Sequence, residues 1–400
     1  MPFADPQADP STMDDFLALA GRKAWQQRMA DLGRVASSKS LGAKAASRRH
    51  ALELTLAKLC DRSAWAKASL AERRLLAFAC EAVRLAGSLP KPSRERLRAL
   101  IAAGLSGEAN LIPLFHLVRV AALMRARGFE VRHDGLVEGT PHDLAISRDG
   151  VTAEVACLTV SAEEGRHVHR HDWCALVDRV NPDLQTWLAA HPGRYLLKMT
   201  LPDGIQGEAQ VADLHRRITT LLSEERRQDA DGSAVLKLDP LLMAGVAAAG
   251  DGLPAGLRAQ FGPEAHLAVA GGADGGSVFV LAARAGREND IAAAVTRRLS
   301  EAARTRVSGR HPAILATFLD EVDRAEWRGL RDRLELEGAA RRFLTTPEAR
   351  PVAAVSCASR MELLGASPPD AAPHGELRFR NPSHAGSKHP ALAPAVASLV

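Results

Sequence analysis

The segment from Phe115 to Leu201 constrains the fold more than any other part of the chain. Its pattern predicts helix, three strands, helix and strand, in that order. The first helix follows Pro113, which suits an opening turn because its missing N–H has no helical partner there. It ends at Gly128, a residue at ease in the left-handed cap conformation. Three runs rich in aliphatic and β-branched residues follow, Phe129–Asp134, Thr140–Ser147 and Val151–Thr159. Gly135 and Gly139 punctuate the first gap and Asp149-Gly150 the second. An Asp-Gly pair between two such runs signals a tight hairpin. Asp172–Ala189 then reads as a helix and Arg194–Leu201 as a strand.

Two carboxylates lie inside this pattern. Asp143 stands at the start of the second strand and Glu154 in the middle of the third. Facing side chains on antiparallel neighbours are about 5 Å apart. Carboxylates that close repel unless a cation or a proton intervenes. Hard oxygen ligands with open positions suit Mg²⁺, which keeps several waters and accepts phosphate oxygens. Such an ion polarises a phosphodiester and turns a bound water into a nucleophile. The plainer alternative is that Asp143 ends a turn and Glu154 is an exposed strand residue.

With Asp on the second strand and Glu on the third, this order of elements resembles the restriction-endonuclease-like, or PD-(D/E)XK, nuclease superfamily. The resemblance covers roughly residues 108–201. It is carried by Phe115–Val131, Pro141-His142-Asp143 and Glu154-Val155-Ala156. It implies an α/β (α+β) fold with a mixed sheet and helices on both faces, DNA as partner, Mg²⁺ as cofactor, and Asp143 and Glu154 as metal ligands. The chain departs from the family pattern in three places. One extra residue separates Pro141 from Asp143, Ala156 stands where the motif lysine belongs, and His116 stands about where the family's helix glutamate sits, with Glu108 as an earlier substitute and further ligand. The family lysine positions the attacking water and stabilises charge developing on the phosphate, and alanine does neither. After Lys91 only Lys198, Lys237 and Lys388 remain. Lys198 lies on the strand that the resemblance sets parallel beside the site. Strand faces alternate, so the direction of its side chain stays open.

The rest of the chain frames this segment. Residues 1–15 read as disordered, 16–105 as a basic helical region, 106–230 as the α/β core, 231–360 as an α/β extension and 361–400 as an irregular tail. Residues 35–48 are small, polar and basic, and read as a linker. Ser69-Leu-Ala-Glu72 is a capping box that opens a helix. Residues 1–100 hold 18 Lys and Arg against 10 Asp and Glu, whereas the remainder holds 34 against 37. A basic segment on a near-neutral body suits an acidic partner, nucleic acid first; a solvated helical surface is the alternative. The five cysteines are scattered without a CxxC pair, which argues against a disulfide framework or a cysteine-based zinc site. No long apolar run predicts a membrane span, and without a signal-peptide pattern the expected location is cytoplasmic.

Other motifs weigh less. His167-Val-His169-Arg-His171 alternates potential zinc ligands, but a solvated loop before a helix capped by Asp172 accounts for it better. The loop can also hang over the Asp143 and Glu154 site. Gly271–Gly276 lacks the Lys-Ser/Thr of a phosphate loop and reads as the turn of a hairpin between 265–270 and 277–283. Three functions remain. The first is a nucleic-acid-binding protein whose catalytic set is degraded. The second is an active Mg²⁺-dependent nuclease with His116 or Glu108 as outer partner and Lys198 as relocated lysine. The third is a regulatory protein-interaction factor that works through its helical region.

Overall fold

The computed structural model describes residues 11–38, 40–241, 261, 265–272, 275–363, 366, 370–372 and 374–398. Helices α1–α7 span Thr12–Ala20, Arg22–Ala36, Leu41–Arg49, Ala51–Leu59, Leu70–Ser88, Lys91–Gly104 and Ile112–Ala126. Then come β1 (Glu130–Arg132), the short α8 (Asp134–Val137), β2 (Leu144–Arg148), β3 (Val151–Ser161), α9 (Arg170–Ala190), β4 (Arg194–Leu201), α10 (Glu208–Ser223), β5 (Gln228–Ala230) and β6 (Val235–Pro240). They are followed by β7 (His266–Gly271), β8 (Val278–Ala285), α11 (Ile291–Thr305), β9 (Ala313–Asp320), α12 (Arg324–Asp332), α13 (Glu335–Leu344), β10 (Val352–Ser359), α14 (Arg360–Leu363), β11 (Leu377–Arg380) and α15 (Ala393–Val396). The chain is thus mixed α/β, with helices gathered at the N-terminus and around two mixed sheets. No described helix is long and apolar enough to cross a membrane.

Two compact units divide the chain. The first contains Met1–Val35, Ser47–Glu164 and Ile291–Val400, and the second contains Ala36–Ala46 and Gly165–Asp290. The first is built on a six-stranded sheet of order β1-β2-β3-β9-β10-β11. Strands β3, β9 and β10 run parallel, and the other pairs are antiparallel. The β2–β3 hairpin closes on Asp149-Gly150, both at positive φ (51° and 77°), the backbone a two-residue type I′ turn requires.

Alternation along β3 separates two cores. Ala153 and Val155 join the cluster that includes Phe115 and Val118 of α7, whereas Ala156 and Val160 join the one that includes Val295 of α11 and Phe343 of α13. The sheet is therefore covered by helices on both faces. A file of aromatic rings ties the N-terminal helices to it. Phe16 meets Phe78 at 6.0 Å between centroids, Phe78 meets Phe115 at 5.3 Å, and Phe115 meets Phe318 of β9 at 6.5 Å. No boundary falls near residue 105, because the helices before it bury their apolar faces in the same core as the strands.

The second unit enters the chain between β3 and α11. Gly165 and Asp290 at its two ends meet through a 2.8 Å backbone hydrogen bond. Its five-stranded sheet has the order β5-β6-β4-β8-β7. Helices α9 and α10 cover one face, where Leu176, Val180, Leu214 and Ile218 pack on Leu197, Met199, Phe279 and Leu281. The expected hairpin is present as β7 and β8, although residues 273–274 of its turn lie outside the described ones.

Several local expectations are corrected. Thr12–Asp15 belong to α1 rather than to a disordered start, and residues 1–10 lie outside the described ones. The presumed linker 35–48 contains most of α3, whose first N–H groups, at Leu41 and Gly42, each donate to the Asp178 carboxylate at 2.8 Å. The supposedly irregular tail holds β11 and α15. His169, not Asp172, is the N-cap of α9; Val168 bridges Ile205, and the histidine run is thereby backbone-bonded to a neighbouring loop.

Candidate functional site

Asp143 and Glu154 face the same side of the six-stranded sheet. Ala145 is the direct cross-strand partner of Glu154, and Asp143 precedes Ala145 by two residues, so the pleat turns both carboxylates the same way. That side is the one covered by α11. The pairing is tight at this point because Asp143 N–H donates to Val155 O at 3.0 Å, continuing the ladder one residue beyond β2. Gly135 of α8 lies against the same segment. A Cβ there would stand 2.9 Å from His142 O, so any larger residue would push the Asp143 loop away.

The oxygens that would bind a metal are taken by the protein itself. Arg306, just past the end of α11, sets Nη2 at 2.8 Å from each Asp143 oxygen, and its Nε donates to Pro141 O at 2.7 Å. Asp143 Oδ2 also accepts the Cys157 N–H at 2.7 Å. That N–H points toward β2 where β2 has already ended, so the carboxylate supplies the missing ladder partner. Glu154 Oε2 accepts the Ser308 N–H at 2.9 Å, and Oε1 accepts the Ser308 hydroxyl. Glu154 is only 2% exposed. Burial pushes the Asp143 carboxyl above its ordinary range, and the Arg306 charge pulls it partly back.

His142 completes the cluster. Its Nδ1 lies 3.7 Å from Glu154 Oε2 and its Nε2 3.8 Å from Asp134 Oδ2, distances too long for hydrogen bonds. Asp134 is held by Arg132 at 2.9 Å. Among the described residues, no group of three or more His, Cys, Asp or Glu is placed to hold a metal ion. Asp143 and Glu154 do not fit Mg²⁺ as they stand, because every carboxylate oxygen already accepts a hydrogen bond from Arg306, Cys157 or Ser308.

The other expected site residues lie elsewhere. His116 is 1% exposed, and its Nε2 is 2.8 Å from Ala316 O of β9. It belongs to the α7 side of the sheet, opposite the carboxylates, and its ring packs near Phe318 at 5.5 Å. It is a core residue and not an outer partner of the pair. Glu108 lies in the exposed turn before α7, where its charge acts on His50. Lys198 is on β4 of the other sheet, where it pairs with Asp239 at 3.1 Å. The strand parallel to β3 is β9, which sets Leu315 beside Ala156 and Ala313 beside Glu154. No lysine occupies the position the resemblance asks for.

Sequence reasoning missed Arg306, Ser308, His142 and Asp134. The first two follow α11 in an Arg-Val-Ser-Gly turn, far beyond the segment that carried the pattern, and no spacing rule links them to Asp143. A comparison with models of protein families, with curated proteins and with solved structures found no match.

Proposed function

We propose that the chain is a nucleic-acid-binding protein on a restriction-endonuclease-like scaffold whose metal position has been taken over by an arginine. The observation that carries this reading is the Arg306 guanidinium on both oxygens of Asp143, with Ser308 closing Glu154. The scaffold reading is supported by element order. With the second unit set aside, the order is α7, β1, the one-turn α8, β2, β3, α11 and β9, and β9 lies parallel beside β3. This is a fold-level analogy, and the function is argued from the site.

Both carboxylates already accept hydrogen bonds from Arg306, Cys157 and Ser308, so neither is free to activate water. What remains is surface charge. Many N-terminal cations are spoken for: Arg22 pairs with Asp14, Lys58 with Glu72, and Arg94 and Arg96 bond backbone carbonyls. The exposed Lys23, Lys67, Arg73 and Lys91 make no ion pair with a described residue. In the second unit, Lys198 and Lys237 stand directly opposite each other on the face away from α9 and α10, with Arg284 on the same face. Asp239 pairs with Lys198 at 3.1 Å, which leaves the exposed Lys237 and Arg284 without an ion pair to a described residue. A polymer of phosphates suits exposed cations of this kind, and DNA is the first candidate.

Binding then follows the salt law of phosphate contacts. The logarithm of the affinity for duplex DNA is expected to fall linearly with the logarithm of salt, by about 0.9 per phosphate neutralised. Replacing Lys23, Lys67, Arg73 and Lys91 together by alanine should lower affinity equally across DNA sequences and make that slope shallower. A variant that binds with unchanged affinity and slope would remove the N-terminal surface from the account.

A further inference from the structure

At the edge of the six-stranded sheet nearest β11, two guanidinium groups share one carboxylate inside the protein, and the charge of that carboxylate also acts on a third guanidinium. Arg119 of α7 and Arg378 of β11 are 3% and 5% exposed, and Glu376 is 2% exposed. Glu376 Oε1 lies 2.8 Å from Arg127 Nη2 and 3.6 Å from Arg378 Nε. Arg119 Nη2 donates to Gly375 O and Arg378 Nη1 to Pro394 O. Among the described residues, Arg119 Nη1, Arg378 Nε and Glu376 Oε1 are buried without a hydrogen-bond partner. The next carboxylate, Glu362, is filled by donors from Ser359, Ala372 and Trp327. Arg74, which bonds the Glu362 carbonyl, adds another positive charge nearby.

Buried charge without a counter-charge is among the costliest features a fold can carry, and buried donors are almost always satisfied. The residues that face Arg378 on the same side of the sheet are small. Ser356 of β10 is the direct cross-strand partner of Arg378, and Ala354 and Ala358 flank it two residues away on either side. All three are small and buried. Burial excludes a polymer chain from this place. Guanidinium donors match the oxygens of a tetrahedral oxyanion better than a halide.

We propose that Arg119, Arg127 and Arg378 hold a small oxyanion of the phosphate or sulfate class above Ser356. The site is separate from the nucleic-acid reading and stands whether or not that reading does. Burial pushes the Arg378 guanidinium down to about 10 and also lowers Arg119, as expected of cations short of counter-charge.

The test is thermal unfolding of the full chain titrated with inorganic phosphate, with ionic strength held constant by gluconate, an anion too bulky to enter. The expected result is a Tm that rises with phosphate and saturates, and calorimetry that counts one site per chain. Phosphate also stabilises proteins by exclusion from their surface, so an unsaturated, steady rise with no calorimetric site would overturn the proposal. Ser356→Asp supplies an internal carboxylate beside Arg378. It should keep or raise the Tm in gluconate and abolish the saturable phosphate response. A Ser356→Asp protein that folds and still shows the full response would overturn the proposal too. If that variant does not fold, the wild-type stoichiometry decides.

Discussion

Acidification from pH 6.5 to pH 4 should strip stability from this protein, and His116 should account for the largest single share. Its ring is 1% exposed, its Nε2 hydrogen-bonds Ala316 O, and its Nδ1 is buried without a partner among the described residues. The neutral ring with its proton on Nε2 is the form this site accepts. Burial pushes its pKa from 6.5 down to about 3. A group whose folded pKa lies below its unfolded value contributes fully above the unfolded pKa, and that contribution is lost as pH falls toward the folded pKa. At 1.36 kcal/mol per pKa unit, the loss between pH 6.5 and pH 4 is at most about 3 kcal/mol. His50 and His133, each pushed down to about 4, act in the same direction. Burial is the main cause for both, with Arg28 adding to it at His50 and Arg125 at His133. Glu53 and Asp143 act in the opposite direction, because burial raises both. Their contribution is greatest at low pH and is lost as pH rises through their folded pKa values, so they offset part of the loss. Urea unfolding of wild type and His116→Gln across this range should show a lower starting stability for the variant and a flatter decline. Parallel declines would show that His116 does not carry the effect.

Arg306→Ala should convert a closed carboxylate pair into one that responds to Mg²⁺. Arg306 and Asp143 are partly exposed, with side chains 37% and 23% accessible. The substitution should therefore cost about 1–3 kcal/mol, less than breaking a fully buried pair. It frees Asp143 Oδ1 entirely and leaves Oδ2 with only the Cys157 N–H. Glu154 stands on the same face of the adjacent strand. The variant should gain a saturable rise in Tm with Mg²⁺ that wild type lacks, and Asp143→Asn in the same background should remove it. A wild-type protein that responds equally would mean that Arg306 does not hold the cation position. No response in the variant would mean that the two carboxylates cannot share an ion.

The legible parts of this chain were local. The helix ending at Gly128, the Asp149-Gly150 hairpin and the capping box at Ser69 each depend on a few adjacent residues, and each is present. The shared face of Asp143 and Glu154 follows from strand period and a two-residue turn, which is also local information. What could not be read is which distant strand completes the sheet. Arg194–Leu201 and Ala313–Asp320 are both apolar strand-like runs, and nothing in either one says that the second pairs with β3. The insertion of residues 165–290 therefore went unseen, and with it the reason that Lys198 lies in another sheet. Arg306 and Ser308 were hidden by the same gap. His116 was misread because a polar residue on an apolar helix looks functional until the carbonyl it satisfies, at Ala316, is known.

On the proposed reading, the protein holds nucleic acid without cutting it. The most direct measurement incubates the full chain with labelled single-stranded and duplex DNA and RNA in excess Mg²⁺, scoring complex formation and product length together. Salt-sensitive complexes and full-length nucleic acid throughout are the expected result. Metal-dependent cleavage by wild type that vanishes in Asp143→Ala would contradict it.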